Sequence, residues 1–164
     1  MSKKKITGIA VVIWMAVIFA FSAQPARQSS KASKSVSYKI AEWQNYIFNQ
    51  GKTEEELSIK AESMQLIVRK GAHMSEYAIL AVLICFYFSY DSISKKRMAL
   101  QAFAFTAGYA ATDELHQLFV PGRAGRLSDV CIDSLGGGLG IMFFLFLFQA
   151  YDKWKKTAAQ GEID

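Results

Sequence analysis

Four apolar runs divide the chain, and polar stretches of very unequal length separate them. Ile6 to Ala23, Ala72 to Tyr90, Met98 to Val120 and Val130 to Ala150 each approach the ~20 residues that a helix needs to cross a hydrocarbon core. The pattern predicts an all-α membrane protein, a bundle of four transmembrane helices. The first run follows three lysines and ends near the small residues Ser22 and Ala23, which is also the layout of a signal peptide. Phe21 is a bulky residue at the third position before a cleavage after Ala23, which favours a retained span.

The connection from 26 to 70 is polar but helical in pattern. Val36, Ile40, Trp43 and Ile47 recur at helical spacing, and Asn49, Gln50 and Gly51 stop the pattern. Thr53 with Glu56 is a capping-box signature, after which Leu57, Ala61, Met64 and Val68 share a face. This predicts an extracytoplasmic helical hairpin between spans 1 and 2, lying on the membrane surface. A soluble spacer is the plainer alternative.

At 164 residues and 52% hydrophobic content, with positive mean hydropathy, the chain is read as one membrane domain over 1–164. The net charge of +5 gathers beside the apolar runs, at Lys3 to Lys5, at Lys95 to Arg97 and at Lys153 to Lys156, which assigns it to topology rather than to nucleic acid. The positive-inside rule then places both termini and the 91–97 loop in the cytoplasm, in a multi-pass arrangement. The basic residues of the long connection oppose this orientation, but they are diluted among Glu42, Glu54, Glu55, Glu56 and Glu62. Cys85 and Cys131 show neither disulfide nor zinc spacing and receive no role.

With that topology, Ser22 and Gln24, Arg69 to Tyr77, Asp113 to Gln117, and Arg123 to Asp133 are all expected at the outer end of the bundle. An ionisable group at membrane depth costs roughly 2.5–3.5 kcal/mol on insertion scales, so such groups normally face a bundle interior or a polar cavity. Arg69, His73, Glu76 and Tyr77 share one helix face, and so do Asp113, His116 and Gln117, with Glu114 turned about 100° away. Asp129 and Asp133 continue into Gly136 and Gly140, a G-x-x-x-G pair expected to press the fourth span against the third.

His73, Glu76, Asp113, Glu114 and His116 are the candidate proton-transfer groups. Arg69, Arg123 and Arg126, with Gln117, Asp129 and Asp133, are the candidate substrate-binding set, because guanidinium groups suit bidentate phosphate recognition. The alternative for the arginines is pairing with Glu76, Glu114 and Asp129 as structural glue. No cofactor is predicted; the carboxylates and histidines could ligate a divalent metal, but no ligand motif supports one. No nucleophile motif is present. The Phe-rich stretch IMFFLFLF is read as lipid-facing surface.

Three stretches, FSAQ after the first span, RKGAHMSEYAIL at the second and ATDELHQLFVPGRAGRLSDVCIDSLGGGLG across the third and fourth, resemble the VanZ-like family of small bacterial membrane proteins. In this chain Ala23 stands where the family often has a second serine, and Asp133 where asparagine is also common. The resemblance implies a protein of the bacterial cytoplasmic membrane, with a named relative that confers low-level teicoplanin resistance without altering the cell-wall peptide terminus. It implies no known reaction. The expected partner is a membrane lipid or lipid-linked cell-wall precursor, with a lipoglycopeptide antibiotic as another candidate; no nucleic acid is expected, and the sequence assigns no oligomeric state. An enzyme and a non-enzymatic shield against lipid-tailed antibiotics both remain open. A transporter is the weaker reading, because no polar path continues to the cytoplasmic half.

Overall fold

The structure is a computed structural model describing residues 2–161. Among those residues there are five helices and no strands: α1 (Lys3–Ser22), α2 (Ala26–Ile47), α3 (Glu54–Phe88), α4 (Lys95–Gln117) and α5 (Leu127–Gly161).

Local chemistry sets most of the ends. The Ser2 hydroxyl accepts from the Lys5 N–H and the Ser94 hydroxyl from the Arg97 N–H, which caps α1 and α4. α2 begins after Pro25, a residue whose fixed φ suits a helix start. It ends before Asn49 and Gly51, whose φ values of 47° and 62° reverse the chain. The capping box forms in full: Glu56 N–H donates to Thr53 Oγ1 at 3.4 Å, and Thr53 N–H donates to Glu56 Oε2 at 2.9 Å.

α3 is the central helix, and α1, α2, α4 and α5 all pack on it. It is one uninterrupted helix of 35 residues, about 52 Å long at 1.5 Å per residue. The helix does not break where the polar connection meets the second apolar run, because Arg69, Lys70, Gly71 and Ala72 carry it through with no proline and no cap. α2 runs antiparallel to the first half of α3: Gln65 Nε2 and Arg69 Nη2 donate to Ser30, Lys34 faces Glu62 at 3.5 Å, and Asn45 bonds Lys52. This pair therefore continues the axis of α3 away from the bundle rather than lying across it.

The seam between α2 and α3 is built from small residues. Ser33, Ser37 and Ala41 are buried on α2 against Leu57 and Ala61 on α3. The apolar stripe Val36, Ile40, Trp43 and Ile47 faces outward instead, with Trp43 72% exposed.

α5 meets α3 where glycines let the backbones touch. A Cβ on Gly136 would lie 2.3 Å from the Met74 carbonyl oxygen, and one on Gly140 would lie 2.3 Å from that of Ala78. The G-x-x-x-G pair thus presses α5 on the second apolar run, not on the third as the spacing was read. Gly137 takes the α4 side, against Thr106. The core of this contact is Tyr77, Leu80, Ala81, Ile84, Cys85, Ala102, Ile141 and Phe144. Ile141 and Phe144 correct the reading of the Phe-rich stretch: they are buried, while Met142, Phe143 and Phe146 are exposed, because α5 keeps one face toward α3 and α4.

Ion pairs order one end of the bundle and a backbone hydrogen bond the other. Lys4 pairs with Asp91 and Lys95 with Asp152, which gathers the basic segments Lys3–Lys5, Lys95–Arg97 and the distal part of α5 at one end. At the other end the Ala26 N–H donates to the Pro121 carbonyl at 3.2 Å, tying the α1–α2 turn to the α4–α5 turn. Among the described residues three helices, Lys3–Ser22, Glu54–Phe88 and Leu127–Ala158, are long and apolar enough to cross a membrane.

Candidate functional site

The end of the bundle opposite the basic segments holds a cleft of about 310 Å³. α3 supplies Arg69, Lys70 and His73, the end of α4 supplies Glu114 and Gln117, the turn supplies Arg123 and Arg126, and α5 supplies Asp129 and Asp133. The turn is held open by Gly122, whose φ of 74° follows Pro121 in a type II turn closed by Arg123 N–H to Val120 O at 3.1 Å. Gly125 lies so close to α4 that a Cβ there would come within 2.6 Å of the Glu114 carbonyl oxygen.

The arginines do not pair with carboxylates. Arg123 donates through Nε to the Gln24 carbonyl at 3.0 Å, through Nη1 to Gln117 Oε1 at 3.3 Å and through Nη2 to the Phe21 carbonyl at 3.4 Å. Arg69 donates to the Ser30 hydroxyl at 2.8 Å. Arg126 is fixed through its backbone N–H, which donates to Glu114 Oε2 at 2.8 Å. Among the described residues no arginine forms an ion pair within 4.0 Å. The reading of these residues as direct arginine–carboxylate pairs is thereby corrected: neutral oxygens hold two of the guanidiniums, and Asp113, Glu114 and Glu76 act on Arg123 only from beyond contact. Burial, and then the neighbouring Arg69 guanidinium, lower Arg123 from the ordinary arginine range. The two guanidiniums repel one another, and the nearby Asp113, Glu114 and Glu76 carboxylates offset that repulsion in part.

Lys70 was not singled out by sequence, yet its Nζ lies 3.0 Å from Asp129 Oδ1 and lines the cleft. Asp129 is thus a partner of Lys70 rather than of an arginine. The signal available was the Arg69–Lys70 pair, two cations at one level of a helix that also carries His73.

Beneath the cleft lies a layer of buried polar atoms. Gln117 Nε2 donates to Asp113 Oδ2 at 3.2 Å. Asp113 Oδ1, Tyr77 Oη, Ser22 Oγ and Arg69 Nε have no hydrogen-bond partner among the described residues. His73 Nδ1 is 3.5 Å from Glu76 Oε2, within ion-pair range but without hydrogen-bond geometry. Asp133 is 2% exposed and shares the cleft wall with His73. A buried polar group left unpaired costs roughly 1–3 kcal/mol, and in this layer the Tyr77 hydroxyl and the Asp113 carboxylate lie close enough to interact. A second cavity of about 120 Å³ on the α1–α2 side shares Arg69, His73 and Arg123 and adds Glu76.

His116 is not with the others. Its ring packs against Phe19 of α1 at 4.3 Å between centroids, with the planes tilted by 32°, and it lines neither cavity. The shared face with Asp113 and Gln117 is real, but the edge of that face carrying His116 meets α1. The opposite half of the bundle is filled by Leu80, Ala81, Ile84, Cys85, Met98 and Ala102, so the polar layer ends in an apolar plug. Among the described residues no three His, Cys, Asp or Glu side chains cluster closely enough to hold a metal ion.

An all-helical chain with several apolar spans and a basic-rimmed, carboxylate-floored cleft at one end defines a multi-pass membrane protein with a polar terminal site. The chain belongs to the VanZ/LLP1 family, which matches it over residues 7–149. The match covers all four cleft-forming stretches. Comparison with curated proteins and with solved structures returns no match.

Proposed function

We propose that this single domain crosses the bacterial cytoplasmic membrane four times with both termini inside, and that its cleft faces outward and acts on an anionic lipid-linked cell-envelope component. α4 supplies the fourth span in this reading. Its 23 residues measure about 34 Å, and it joins the same two ends of the bundle as α1. Its polar residues Thr106, Asp113, Glu114 and Gln117 are buried against neighbouring helices, which supports tolerance of them at membrane depth. The α2–α3 hairpin then projects from the outer face.

The observation that carries the reading is the set of three cleft guanidiniums with no carboxylate partner among the described residues. Arg69, Arg123 and Arg126 receive the phosphate of the headgroup, and His73 with Glu76, together with Asp133, serves proton transfer beside it. Asp113 and Gln117 orient Arg123 from below, and Glu114 holds the Arg126 loop. No metal or other cofactor is invoked. His116 belongs to the α1 contact and takes no chemical role.

A second reading is favoured by one observation: the Val36, Ile40, Trp43 and Ile47 stripe is exposed rather than packed on α3. Such a face on the outer hairpin could bind the lipid tail of a lipoglycopeptide and shield its target, which is the route to teicoplanin resistance without chemistry.

The test compares membrane lipids and cell-wall fragments by mass spectrometry from cells lacking the protein, cells expressing it, and cells expressing His73→Gln or Arg123→Gln. A species that changes with the intact protein and reverts with either variant is the expected result and identifies the substrate. Identical profiles, with teicoplanin tolerance lost on Trp43→Ala and kept in His73→Gln, overturn the enzyme in favour of the shield.

A further inference from the structure

The polar cleft does not end at the protein surface facing water. Two of its lining residues, Glu114 and Arg126, also line a separate groove of about 300 Å³ between α4 and α5. The rest of that groove is apolar: Ala111 and Leu115 from α4, Leu118 just past its end, Gly125 in the turn, and Leu127 and Val130 from α5. Leu115, Leu118 and Leu127 are 60%, 57% and 80% exposed, so the groove opens on the outer flank of the bundle. The order along this flank is a phosphate-suited cleft, a charged junction, and an apolar channel. That is the order of an amphiphile's parts.

We propose that the α4–α5 groove holds the hydrocarbon tail of the same membrane lipid whose phosphate headgroup occupies the cleft, and that the lipid enters sideways between α4 and α5. The inference rests on the anionic-headgroup reading of the cleft and extends it to a tail site and an entry route.

Three features fit one occupant bridging both spaces. The junction is rigid, because Glu114 Oε2 accepts the Arg126 N–H at 2.8 Å. The Arg126 side chain bonds no described residue and is exposed at that junction, so it can meet a phosphate from the groove side. Gly125 presses the loop on α4, where a Cβ would lie 3.0 Å from the Leu118 side chain, so the groove floor is continuous from the loop to α4. A tail leaving the bilayer for an apolar groove gains little free energy, since lipid is as apolar as leucine. The groove therefore sets register and entry, while the guanidiniums supply selectivity for the anionic lipid.

The experiment uses the full chain in phosphatidylcholine nanodiscs with two photoreactive phosphatidic acids, one carrying a diazirine near the end of an acyl chain and one carrying it beside the phosphate. Labelled residues are mapped by mass spectrometry, with excess unlabelled phosphatidic acid or phosphatidylcholine as competitor. The expected result is tail-probe labelling at Leu115, Leu118, Leu127 or Val130, lost under phosphatidic acid and kept under phosphatidylcholine. Cleft labelling by the headgroup probe, with the tail probe spread over the general lipid face at Phe143 and Phe146, overturns the groove and leaves the cleft reading standing. If neither probe gives labelling that phosphatidic acid competes away, the cleft reading falls and the groove with it.

Discussion

The contact between α3 and α5 makes a quantitative prediction through Gly136. An added Cβ would lie 2.3 Å from the Met74 carbonyl oxygen, where ordinary contact begins at 3.4 Å, so Gly136→Ala must move the two backbones apart by about 1 Å. The obstacle is not the end of a flexible side chain: the three nearest atoms, Met74 O, Cα and C, are all helix backbone. Overpacking of this kind costs about 1–3 kcal/mol, and the better helix propensity of alanine offsets up to about 1 kcal/mol. With the full offset the net expectation is a loss of up to about 2 kcal/mol. Gly138→Ala is the control, because its nearest neighbour is a Phe103 ring carbon at 3.9 Å; it keeps the propensity gain without the clash. The assay is unfolding of the full chain in mixed micelles of rising dodecyl sulfate content, followed by circular dichroism. Gly136→Ala should unfold earlier than the intact chain, and Gly138→Ala no earlier. The same displacement separates His73, next to Met74, from Asp133, one turn before Gly136, and an error of about 1 Å in catalytic geometry can cost on the order of 100-fold in rate. Equal unfolding of the two variants would refute the close approach. Loss of stability without loss of product would refute the dependence of the site on it.

Other positions give shorter tests. Glu114→Gln retains an oxygen for the Arg126 N–H, now held at 2.8 Å, and should unfold within about 1 kcal/mol of the intact chain, whereas Glu114→Ala orphans that donor and should lose about 1–3 kcal/mol; the two are compared in the same micelle assay. Gly122→Ala places a side chain at φ 74° with its Cβ 3.3 Å from that of Ala26, and should cost at least about 1–2 kcal/mol, read as earlier unfolding and faster proteolysis at the 121–126 loop. The Lys70–Asp129 pair is about one-third exposed on each side, so a double-mutant cycle with Lys70→Ala and Asp129→Ala should return a coupling below about 1 kcal/mol. A larger value would mean that the pair is more shielded from solvent than its exposure indicates.

What the chain determines by itself is local. The capping box at Thr53 and Glu56, the stop at Asn49 and Gly51 and the apolar runs are legible because each depends on residues within one or two turns. The same holds for the shared face of Arg69, His73, Glu76 and Tyr77, which helical periodicity alone imposes. The tertiary structure decided which helix each face meets. Periodicity places His116 beside Asp113 and Gln117, but only the position of α1 turns it onto Phe19. It pairs Gly136 with Gly140, but only the central place of α3 makes Met74 and Ala78 their neighbours. It puts arginines near carboxylates, but the Gln24 and Phe21 carbonyls reach Arg123 first, and Lys70 takes Asp129. The hydrophobic stripe of α2 carries the same lesson, since close packing of Ser33, Ser37 and Ala41 on α3 wins the seam and leaves Trp43 outside. A sequence records the faces of its helices through spacing; their partners follow from competition among surfaces far apart in the chain, which only the folded arrangement resolves.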